Sequence, residues 1–158
     1  MKRFPIIAAA VVIAYPALGA DQPAIVLDAK GVQIYGCALA GETYAWRLTA
    51  PEAALTDAAG QPAGRHYAGP SWQALDGSVV VGEPLVASPA PDGGAIPWIV
   101  LRARDHTGNG TFAAVAYVIR TATMGGLAPA AGCDAAHAGA ESRVDYHATY
   151  TFFPGRGG

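Results

Sequence analysis

From Arg143 to Phe153 the chain alternates without a break. Val144, Tyr146, Ala148, Tyr150 and Phe152 fall on one side of an extended backbone, and Arg143, Asp145, His147, Thr149 and Thr151 on the other. Successive side chains of a strand point to opposite faces, so this pattern predicts a half-buried antiparallel strand. Beyond the N-terminal apolar run, no stretch keeps a helical apolar period for three turns. Apolar surface in such a chain must be buried between strands. The expected fold is therefore all-β: an antiparallel β-sandwich or compact barrel of about seven to eight strands, with one short helical turn.

Other segments read the same way. Ala24 to Leu27 and Lys30 to Leu39 are strand material, the second apolar on both faces. Thr43 to Thr49 places Tyr44, Trp46 and Leu48 inward. Thr49-Ala-Pro-Glu52 has the form of a capping box and predicts a short helical turn through Leu55. Asp76-Gly77 is a hairpin signal. A two-residue turn there pairs Trp72 with Val81 and Ala74 with Val79, giving a core face of Trp72, Ala74, Val79 and Val81. Glu83 to Ala95 carries three prolines and predicts a loop or irregular edge. Trp98 to Ala103 and Thr111 to Thr123 are strands joined by a loop over Asp105 to Gly110. Thr111 to Thr123 is apolar on both faces until Arg120. Asp134 to Ser142 is irregular and has room for a helical turn.

The N-terminus has its own signature. A basic Met1-Lys2-Arg3, an apolar Ile6 to Ala14 and small residues at Ala17 and Gly19 predict a cleaved secretory signal peptide over residues 1–19. Residues 20–158 then form a single β domain with no transmembrane segment, in the periplasm or secreted. Without Lys2 and Arg3, 8 basic residues face 12 acidic ones. No basic patch is present, which argues against nucleic acid. In an oxidising compartment the two cysteines, Cys37 and Cys133, are expected to pair as a disulfide. The competing use of Cys133 with His137 supplies two ligands, short of the three or four of a zinc site.

Candidate chemistry gathers between Gly64 and Glu83. His66 stands beside Gly64, Gly69 and Pro70, where backbone can approach a ligand closely. With Asp76 or Glu52 it has the composition of an acid–base pair or of part of a metal site, and as a structural imidazole it would bond across the corner. Trp72 and Trp98 each stand near a proline at a strand start, towards a rim. His106, His137 and His147 read as solvated. Ser71 in G-P-S-W-Q lacks the second glycine of a nucleophile elbow. Gly108-Asn-Gly110-Thr-Phe-Ala113 matches a dinucleotide fingerprint, but a strand pattern follows it where that motif requires a helix. A nicotinamide-dependent dehydrogenase is excluded on that ground.

The pieces G-V-Q-I-Y-G-C (31–37), Y-A-W (44–46), P-E-A-A-L-T-D (51–57), H-Y-A-G-P-S-W (66–72), T-M-G-G (123–126), G-C-D (132–134) and Y-H-A-T-Y-T-F-F (146–153) occur in this order. Together they resemble the family known as domain of unknown function 3455. The resemblance implies an exported bacterial protein with fungal relatives and a β-rich domain, and it carries no activity. Residues and resemblance together point to a non-enzymatic ligand-binding or structural module of the cell envelope that needs no cofactor or metal. Its expected ligand surface is His66, Tyr67, Trp72, Asp76 and Trp98, and its expected ligand is a glycan, a small molecule or a protein. The alternatives are a small hydrolase or isomerase using His66 and Asp76, or an inhibitor of an exported enzyme.

Overall fold

A computed structural model describes residues 23–155. The expected signal peptide lies outside the described residues. Eight strands follow in chain order: β1 (Ile25–Ala40), β2 (Thr43–Thr56), β3 (Pro62–Tyr67), β4 (Ser71–Ala74), β5 (Val79–Ser88), β6 (Trp98–Thr107), β7 (Val115–Gly125) and β8 (Glu141–Pro154). Each pairs antiparallel with the next, and β8 returns to pair with β1, so the sheet closes. Of the two expected architectures the chain adopts the barrel. Closure leaves no edge strand exposed. The one helical turn is a 3-10 turn at Ala135–His137, capped by the Asp134 carboxylate.

The up-and-down order puts the β1–β2, β3–β4, β5–β6 and β7–β8 connections at one end and the other three at the opposite end. The interior near that second end is packed solid. Leu27, Leu55, Val80, Val118 and Phe152 converge there. Phe112, on the β6–β7 connection, plugs the end, with its ring stacked on Phe152 at 4.5 Å between centroids. Alternation on β8 holds as the sequence predicts: Tyr146, Ala148, Tyr150 and Phe152 are all buried.

Asp76 latches this plug. One carboxylate oxygen accepts from the amide and hydroxyl of Ser78, the other from the amide and hydroxyl of Thr111. Ser78 Oγ in turn accepts from the Phe112 amide at 3.1 Å. At the other end Cys37 and Cys133 form the expected disulfide, tying the β7–β8 connection to β1 across 96 residues.

Several expectations fail for identifiable reasons. The capping-box helix does not form, because β2 runs straight through it. Thr49 Oγ1 donates across the sheet to the Ile34 carbonyl and Glu52 pairs with Arg143, so neither caps a helix. The hairpin at Asp76 has a three-residue loop, not two: the Ala74 amide donates to the Ser78 carbonyl, and Trp72 stands opposite Val80. Gly77 takes a positive φ of 85°, as the residue closing such a loop does. One residue of slip turns the second strand over. Ser78 and Val80 are buried, whereas Val79 and Val81 are only partly covered. β5 continues through Pro84 because the register shifts between Pro84 and Val86, and a bulge relieves proline of a ladder bond. β7 starts at Val115, since Thr111 to Ala114 form the turn that carries the plug residue Phe112. Trp46 is not a core residue: it is half-buried, with Nε1 donating 2.9 Å to the Ala131 carbonyl.

Candidate functional site

The barrel is open where it is not plugged. A cavity of about 300 Å³ sits at the β3–β4 end, and every strand contributes a wall residue. β1 supplies Gln33, β2 Pro51, β3 His66, β4 Trp72, β5 Pro84, β6 Leu101, β7 Arg120 and β8 Tyr150. The cavity therefore lies on the barrel axis. Eight strands enclose an interior that side chains can fill or that one small ligand can occupy. Here the plugged half is filled, and the other half is filled in part by Tyr35, Tyr146 and Ile96 and keeps a cavity beside them.

The sequence places these groups by simple means. Gly64 lets β3 approach β4 closely, as a Cβ there would stand 2.1 Å from the Gln73 carbonyl oxygen. His66 and Trp72 are direct neighbours across that pair, and their rings stack at 4.6 Å and 7°. Tyr150 meets both edge-on, at 5.1 and 5.4 Å. His66 Nδ1 lies 2.8 Å from the Ser71 carbonyl, so this nitrogen carries the proton and Nε2 is the lone-pair side. Burial pushes the imidazole down to about 4, with the Ser71 bond opposing and the Arg120 charge reinforcing the shift. His66 is neutral at ordinary pH.

Arg120 is the cation of the site. Its Nε and Nη2 both donate to the Pro97 carbonyl, at 3.1 and 2.8 Å, which fixes the guanidinium, and the same side chain reaches the Tyr150 hydroxyl. Among the described residues it has no carboxylate partner. Burial raises the phenols of Tyr35, Tyr146 and Tyr150 above their ordinary value, and the Arg120 charge pulls all three back. Two wall residues carry buried polar atoms with no partner, Gln33 Oε1 and Trp72 Nε1. Buried polar groups are satisfied in the great majority of cases, and exceptions mark a missing partner or a functional site.

Of the five expected ligand residues, the structure brings His66 and Trp72 to the cavity. Tyr67 lies on the opposite face of β3, where Arg65 stacks on its ring at 5.0 Å. Asp76 is at the far end, latching the plug, and the hydrogen bonds of the burial-suppressed imidazole and of this carboxylate do not connect them. Trp98 is half-buried outside the cavity, although its neighbour Pro97 holds Arg120. Cys133 is in the disulfide, and His137 bonds Asp134 at 2.7 Å on the surface. Among the described residues no three His, Cys, Asp or Glu side chains gather as a metal site. Sequence reasoning missed Gln33, Arg120 and Tyr150. Arg120 had a signal, as the one charge interrupting an apolar strand.

The family model described as a protein of unknown function (DUF3455) matches residues 18–154. The chain belongs to this family. The DUF3455 match takes in all eight strands, so the cavity and the plug both lie inside the family's span. No curated protein and no solved structure matches the chain. No helix among the described residues is long and apolar enough to cross a membrane.

Proposed function

We propose that this member of the DUF3455 family is a non-catalytic binding module of the cell envelope that holds a small molecule inside its barrel. The observation that carries the reading is the axial cavity of about 300 Å³, walled by residues of all eight strands, with Arg120 as the cation on its wall. An apolar recess with a few convergent polar groups is what small-molecule sites look like, and about 300 Å³ falls at the small end of their range. The Cys37–Cys133 disulfide supports an oxidising, exported setting.

The acid–base alternative finds little support. His66 is oriented by a backbone carbonyl, and both oxygens of Asp76 are engaged by Ser78 and Thr111. A general base needs its substrate within hydrogen-bond reach and a proton affinity near working pH. An imidazole at about 4 is a better acceptor in a binding site than a base at neutrality.

The test is a small-molecule fragment screen on the disulfide-bonded chain, read by thermal shift and tryptophan fluorescence and repeated on Ile99→Trp. Ile99 lines the cavity and packs against the core, so an indole there takes up cavity space. Hits that stabilise the natural chain and lose at least tenfold in affinity on Ile99→Trp support the reading. Hits that bind the variant equally well place the ligand surface elsewhere and overturn it.

A further inference from the structure

We infer that the ligand is a monocarboxylate with an apolar body, its carboxylate on Arg120 and its body against Pro84, Ile99 and Leu101. The inference rests on the binding reading above and adds the ligand's charge and shape.

The argument begins with the guanidinium. A half-buried cation without a counter-ion is unfavourable in an apolar surround, and the cavity around Arg120 is lined mainly by proline, leucine and isoleucine carbons. Its orientation does not depend on a ligand, because two of its nitrogens are held by the Pro97 carbonyl. The guanidinium also reaches the Tyr150 oxygen, which leaves two of its five N–H groups for an acceptor, and a planar guanidinium matches a carboxylate better than a lysine would. The Tyr150 hydroxyl beside it supplies a further donor.

Charge balance narrows the class. One cation neutralises one negative charge. No second lysine or arginine and no histidine other than the neutral His66 lines the cavity. A phosphate dianion would be left with an uncompensated charge against hydrocarbon, so a carboxylate fits and a phosphate does not. Volume narrows it further. At roughly 30 Å³ for each water-sized group, the cavity holds roughly ten non-hydrogen atoms. Phenylacetate and octanoate are of that size.

The experiment titrates the disulfide-bonded chain with phenylacetate and octanoate and, in parallel, with phenylacetamide and octanamide. The amides keep shape and lose charge. The acids are expected to bind roughly tenfold to 100-fold more tightly than their amides, the range of a charge-assisted hydrogen bond. Arg120→Gln is expected to abolish that preference, and Arg120→Lys to keep part of it. Acids and amides that bind alike, both lost on Ile99→Trp, would overturn the carboxylate inference and leave the binding module standing. No binding by any of the four, alongside fragment hits of other chemistry in the cavity, has the same meaning. No binder of any kind in the cavity would remove the binding reading and the inference with it. The comparison of acid with amide on the natural chain decides the matter even if Arg120→Gln fails to fold.

Discussion

His66 is a buried imidazole kept neutral, and this has a consequence for stability. Its folded-state value is about 4 against an ordinary 6.5, so between those limits the unfolded chain binds the proton that the folded chain refuses. The contribution is fully present above pH 6.5 and is lost as pH falls towards 4, by about 3 kcal/mol in total. Urea denaturation at a series of pH values, on the natural chain and on His66→Phe, measures it. The natural chain should lose about 3 kcal/mol more than the variant over this window, and parallel curves would show that the imidazole is not buried as a neutral base. At this scale the sequence was half legible. Glycine, proline and histidine around residue 66 marked a corner of close approach, and His66 and Trp72 do face the cavity. Tyr67 could not follow them, because neighbours on a strand face opposite ways. Gln33, Arg120 and Tyr150 come from strands distant in sequence, and only closure of the barrel collects them.

The β4–β5 turn and the β6–β7 connection act as one element through Asp76. Its four hydrogen bonds hold the carboxyl well below the usual carboxylate range, those from Ser78 and Thr111 side chains contributing most. Gly110 packs against it so closely that a Cβ would stand 2.4 Å from Oδ2. Gly110→Ala should therefore destabilise the fold by about 1–3 kcal/mol, as overpacking does. In an Asp76→Ala background the same change should do less harm, because the group it strikes is gone. Thermal or urea unfolding of the four proteins measures this coupling, and strictly additive effects would disprove the latch. Cavity ligands should be unaffected by Asp76→Ala, which separates this account from a catalytic Asp76. Local pattern located this turn but misjudged its length by one residue, which reversed the faces of Val79 to Val81. Thr49 to Leu55 failed differently: its local helix signal is real, yet pairing with β1 on one side and β3 on the other overrides it.

For the molecule as a whole, the open end is held by the disulfide and the other end by the plug. Cys37 and Cys133 close a loop across 96 residues, and Cys37 is buried. Replacing both by alanine should lower stability by up to about 4.7 kcal/mol on the chain-entropy model, measurable by urea unfolding. No loss at all would mean that the β7–β8 connection is ordered without the bond. The all-β class was legible from the period of two on β8 and from the lack of helical period. The choice of barrel over sandwich was not, because alternation says which face a residue takes and not which strand lies beside it. The pairing that closes the barrel joins Ile25 to Phe152, the two ends of the described chain. The most direct test of the central claim is a crystal structure of the disulfide-bonded chain soaked with phenylacetate. The account predicts ligand density on the barrel axis between Trp72 and Arg120, with a carboxylate on the Arg120 guanidinium. A fully occupied aromatic ring bound on the outer face, with the axial cavity empty or closed by side chains, would contradict it.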